Sequence, residues 1–135
     1  MSALQLAQSL IKIKSISPRD KGCFDLIEEQ LFPLGFAIER VPELNCETLL
    51  AKFGDSGKVF CFLGHTDIVP SGPEEEWASP PFEANIVNGE LIGRGAADMK
   101  GSVAVFIEAM KKFLKIHPKP NFQIWIILTL SLIHI

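Results

Sequence analysis

Residues Val59-Phe60-Cys61-Phe62-Leu63 form an unbroken apolar run, closed by Gly64 and followed at once by His65-Thr66-Asp67. The run lacks polar alternation, so it reads as a strand buried on both faces, the kind a parallel sheet holds. Within it Cys61 reads as a small core residue. Open α/β sheets gather their ligands outside the carboxyl ends of strands. His65 and Asp67 therefore stand where chemistry is expected. A second stretch, Gly93-Arg94-Gly95-Ala96-Ala97-Asp98-Met99-Lys100-Gly101, leads from a predicted strand into a predicted helix and delivers another carboxylate, Asp98.

The rest of the chain supplies the frame for these two stretches. Its 135 residues, 47% hydrophobic and 21% charged, suit one globular domain with a real core. A net charge of −3 with 13 Lys+Arg gives no basic footprint, which argues against a nucleic-acid partner. The first residues carry no signal-peptide pattern, and three cysteines without metal-type spacing suit a reducing cytoplasm. Leu4, Ala7, Leu10 and Ile11 recur at helical spacing and predict a first helix ending near Lys14. Asp20 is placed to cap a second, with Phe24, Ile27 and Leu31 on one face and Pro33 and Gly35 ending it. Strands are expected over Phe36 to Val41 and Thr48 to Phe53, before the apolar run.

Pro70 to Pro81 reads as a polar loop around Trp77, in which Glu74, Glu75 and Glu76 are solvated. Asn88-Gly89 between two strand-like runs is a strong hairpin signal, because a type I′ turn needs positive φ at both central positions. A helix follows, capped by Ser102 or Asp98, with Val103, Phe106, Ile107, Met110 and Phe113 or Leu114 facing inward. His117 and Pro118 close it. Phe122 to Ile135 is almost wholly apolar, too short for a bilayer span, and reads as a buried strand with His134 in its tail. The predicted class is α/β: a mixed, mostly parallel sheet flanked by helices.

In an extended segment residues i and i+2 point the same way. Asp67 can thus reach the far ring nitrogen of His65, fix its tautomer and raise its basicity as a metal ligand. The spacing leaves alternatives open. His65 alone also reads as a satisfied loop histidine, Asp98 as a helix cap, and Gly93, Gly95 and Gly101 as turn punctuation.

Gly64 to Pro70, then Trp77-Ala78-Ser79-Pro80-Pro81-Phe82, then Gly93 to Gly101, closely resemble the dizinc amidohydrolases of metallopeptidase family M20. The likeness runs from the first helix to about Thr129. It implies the N-terminal part of a catalytic domain in which His65 binds one zinc, Asp98 bridges both and Asp67 orients His65. It also implies a cis peptide between Asp98 and Met99. The implied cofactor is two Zn2+, with Co2+ able to substitute. The implied chemistry is metal-assisted amide hydrolysis of a small N-succinyl amino acid in lysine and diaminopimelate biosynthesis, by a cytoplasmic homodimer with no nucleic-acid or membrane partner. Acetylornithine deacetylases, aminoacylases and dipeptidases are the alternatives within the family. A non-catalytic metal-binding or interaction module is the alternative outside it.

The chain departs from the family at one place. Two glutamates, a general base and a zinc ligand, are expected near Leu132 and Ile133, but the sequence reads Leu130-Ser131-Leu132-Ile133-His134-Ile135. Neither side chain can ligate a metal or accept a proton. The expectation is an N-terminal portion, residues 1–135, whose last six or so residues are not native. It would bind zinc weakly and would not turn over substrate.

Overall fold

A computed structural model describes residues 1–130. The chain opens with α1 (Ala3–Lys12), held at its start by a reciprocal capping box between Ser2 and Gln5. Leu6, Ala7, Leu10 and Ile11 form its buried stripe. Helix α2 (Cys23–Leu31) follows, and the Asp20 carboxylate caps it as expected, accepting from the Gly22 and Phe24 amides at 3.0 Å. Strands β1 (Ala37–Glu43), β2 (Cys46–Phe53) and β3 (Val59–His65) come next. The Asn-Gly hairpin follows as β4 (Ile86–Val87) and β5 (Glu90–Leu91), with φ of 53° at Asn88 and 84° at Gly89. Helix α3 (Gly101–Ile116) and strand β6 (Gln123–Thr129) complete the described elements.

The main sheet has the order β1-β2-β6-β3. Strand β6 lies antiparallel to β2 and parallel to β3. The mixed α/β class is as expected, while the parallel character narrows to one pairing of three, β3 with β6. That pairing carries the His65 loop, since His65 stands opposite Thr129.

Leu49 and Ala51 of β2 pair with Leu128 and Ile126 of β6, and all four are buried. They share one core cluster with Leu6 and Leu10 of α1, Phe24 and Ile27 of α2, and Val103 and Ile107 of α3. The described helices therefore cover the same face of the sheet. On β3 that face shows Phe60 and Phe62, which stack on Phe106 of α3 with ring centroids 6.2 and 4.2 Å apart.

This arrangement corrects the expectation for β3. It is the edge strand of the described sheet, and Val59, Cys61 and Leu63 are exposed. Cys61 is not a core residue. Alternate residues of β3 point to the uncovered face, where the apolar run meets no second layer among the described residues. The expected helix cap is corrected too. No side chain caps α3, whose N-terminal flank is Lys100. The predicted strand toward Ile135 is present from Gln123 to Thr129; Leu132, Ile133 and His134 lie outside the described residues.

Candidate functional site

Strand β3 ends at His65, and the chain leaves it through Thr66, Asp67 and Ile68. This loop is held from two sides. The Thr66 amide donates to the Thr129 carbonyl at 3.1 Å, and the buried Ser15 hydroxyl donates to the Thr66 carbonyl at 2.7 Å. Ile68 and Ser15 to Ser17, beyond α1, exchange further backbone bonds of 3.0 and 3.1 Å.

The second loop comes through β5. Gly95 has φ of 83°, and a Cβ there would stand 2.6 Å from Ile68 Cγ2, so only glycine fits both the turn and the neighbouring loop. From Ala96 to Lys100 the chain makes an irregular turn in which Asp98 and Met99 are not helical. The Asp98-Met99 peptide is cis, as the resemblance implies. The Met99 side chain packs over Gly64 and ties the two loops together.

These turns bring the predicted residues into one place. His65 Nε2 lies 3.0 Å from Asp98 Oδ1. On the other side of the ring, Nδ1 faces the Asp67 carbonyl at 3.1 Å, with Asp67 Oδ1 at 3.2 Å. A carbonyl can only accept, so Nδ1 donates to it, while Nε2 faces the Asp98 carboxylate. Nε2 and a carboxylate oxygen, both atoms that can ligate a metal, thus lie side by side. That is an arrangement a shared cation can use. Among the described residues the buried Asp67 Oδ1 has no hydrogen-bond partner. The His65 and Asp67 side chains are only 15% and 13% exposed, whereas Asp98 is 87% exposed. The donors therefore fit a divalent metal but do not complete its shell. Among the described residues no group of three or more His, Cys, Asp or Glu side chains is arranged to hold a metal ion.

A cleft of about 310 Å³ opens over these residues, walled by His65, Asp67, Trp77, Arg94 and Asp98. Sequence reasoning missed two of its walls. The Arg94 guanidinium lies 5.0 Å from the centre of the Trp77 ring, and both side chains donate to the Ser71 carbonyl. The sequence signal was a tryptophan in a loop otherwise too polar to be core. The remaining candidates lie elsewhere. Glu74, Glu75 and Glu76 form an exposed turn, and His117 packs its ring on Phe113 at the end of α3.

The model of peptidase family M20/M25/M40 matches residues 61–131. The succinyl-diaminopimelate desuccinylase of Thioalkalivibrio sulfidiphilus is 48% identical over 126 residues, which are 93% of this chain and 34% of that protein. That of Hydrogenovibrio crunogenus is 52% identical over 116 residues, 85% of this chain and 31% of that one. This chain thus spans about a third of the length of the curated relatives it matches. Among solved structures, human carnosine dipeptidase 1 superposes with a TM-score of 0.80 at 27% identity, covering 94% of this chain and 31% of that one. The M20 family metallo-carboxypeptidase Sso-CP2 of Sulfolobus solfataricus shares the fold, with a TM-score of 0.81 at 24% identity over 96% of this chain and 30% of that one. The family match takes in both loops that converge on the cleft, and by it this chain belongs to peptidase family M20/M25/M40.

Proposed function

We propose that residues 1–135 form the N-terminal portion of the catalytic domain of a zinc-dependent amidohydrolase. Its reaction would be N-succinyl-LL-2,6-diaminopimelate plus water to succinate plus LL-2,6-diaminopimelate. The observation that carries this reading is the 3.0 Å approach of His65 Nε2 to Asp98 Oδ1 at the floor of a cleft. The succinyl substrate is suggested by relatives of that name at 48% and 52% identity. The half-covered sheet supports the portion reading, since an apolar face such as that of Cys61 and Leu63 is ordinarily closed by a further layer.

In this reading His65 would hold one zinc and Asp98 would be shared by two; cobalt could take their place. When bound, the metals supply Lewis acidity and an activated water. The chain's own part is orientation. The Asp67 carbonyl accepts from Nδ1 and its carboxylate lies beside the ring, which leaves Nε2 facing the cleft. Trp77 and Arg94 wall the cleft. A general base is still required to take a proton from water and pass it to the leaving amine. The glutamate expected for that step would stand near Leu132, with a zinc-binding one near Ile133, so this chain alone would not turn over substrate. The whole enzyme would be a cytoplasmic homodimer acting on a small molecule, with no nucleic-acid or membrane partner.

The test is a chimera in which residues 1–129 replace the matching third of the Thioalkalivibrio enzyme. Hydrolysis of N-succinyl-LL-diaminopimelate, but not N-acetylornithine, is expected, and H65A or D98A should abolish it. Preference for N-acetylornithine would overturn the substrate assignment. Full activity of both variants would overturn the site.

A further inference from the structure

Lys100 is the unexplained residue of the second loop. It is wholly buried, and its ammonium donates to the carbonyls of Leu10 at 2.8 Å and Ile13 at 2.7 Å, at the end of α1. Its hydrogen-bond acceptors there are carbonyls, not carboxylates. The last carbonyls of a helix can be satisfied by water or by an exposed lysine. Neither would tie them to another loop. Lys100 does, because it stands two residues beyond Asp98.

The segment that receives Lys100 also holds the other half of the site. Ser15, two residues past Ile13, fixes Thr66 and Ile68 beside His65. The chain from Leu10 to Ser17 is thus a strut to which both loops are pinned, one by Ser15 and the other by Lys100. Close packing reinforces it. A Cβ on Gly93 would stand 2.5 Å from Ile11 Cγ2, and one on Gly95 would stand 3.3 Å from Lys100 Cδ.

We propose that Lys100 is a positioning residue: its two bonds to the end of α1 hold Asp98 within reach of His65. The consequence for metal affinity rests on the reading of these two residues as ligands; the positioning itself does not. The test compares the wild-type chain with K100M, which keeps the length and loses the ammonium, and with I107A, which weakens the core away from the strut. Nuclear Overhauser contacts between the His65 ring protons and the Asp98 β-protons report the distance without metal. Co2+ titration, followed by d–d absorption, reports its use.

The expected result for K100M is loss of the His65–Asp98 contacts and at least a tenfold weaker Co2+ affinity, with the circular dichroism of a folded chain. I107A should melt earlier yet keep both readouts. Unchanged contacts in K100M would overturn the proposal. So would a K100M chain that does not fold, since Lys100 would then serve the whole core. If the wild type shows the contacts but binds no Co2+, the ligand reading fails and the contacts alone decide the role of Lys100.

Discussion

Asp98 presents an 87% exposed carboxylate to solvent while one of its oxygens stays beside a nearly buried imidazole. Such a group contributes little to the fold and a great deal to a ligand. D98N is therefore expected to remove divalent-metal binding and leave the melting temperature almost unmoved, as calorimetry on the same sample would read. Asp67 differs, since it works through the ring. D67N keeps the backbone carbonyl that accepts from Nδ1 and removes only the carboxylate charge beside the ring. It should therefore weaken metal binding by no more than about tenfold, the low end for losing a partner of a ligand histidine. Calorimetric titration with Zn2+ measures both. His65 and Asp67 were legible because a two-residue spacing in extended chain puts side chains on one side. Asp98 was legible as a carboxylate but not in its aim. That Asp98 turns toward His65 instead of capping the helix depends on the non-helical backbone at Asp98 and Met99, which side-chain identity does not encode. Lys100 left no sequence signal, since a lysine in a glycine-rich loop ordinarily reads as solvated.

At the level of the element, the Gly93–Gly101 loop works by close approach. G95A would place a Cβ 2.6 Å from Ile68 and keep a φ of 83° that alanine resists. The expected cost is on the order of 2 kcal/mol in urea unfolding, from overpacking plus backbone strain. Helix α2 offers a pH test through its cap. Burial, the largest influence, raises the Asp20 carboxyl above its ordinary 3.8 despite the Phe24 and Gly22 amides. A raised carboxyl pKa means that the folded chain holds a proton the unfolded chain has released. The stability from that proton is complete below pH 3.8 and is lost as pH climbs through the raised value. D20N should therefore gain on the wild type between pH 3 and pH 6 in melts recorded across that range. No change in their difference would contradict the burial of this cap. The helices were largely legible in the sequence because their apolar stripes follow the helical period. Strand β3 was legible as a strand but not as an edge, because a continuous apolar run records that two faces want cover, not when cover arrives.

On the scale of the whole molecule, the described helices cover one face of a four-stranded sheet and leave Cys61 and Leu63 open on the other. The three cysteines accordingly divide by depth, with Cys23 buried, Cys46 intermediate and Cys61 exposed. Maleimide should modify Cys61 in the native chain and reach Cys23 only after denaturation, a difference that peptide mass spectrometry resolves. Equal labelling of the two would contradict the one-sided sheet. The same thiol then becomes a gauge of assembly. In the chimera that adds the other two thirds of the Thioalkalivibrio enzyme, whatever comes to lie over the bare strand must shade position 61, and the slowing of its alkylation times the arrival of the second wall.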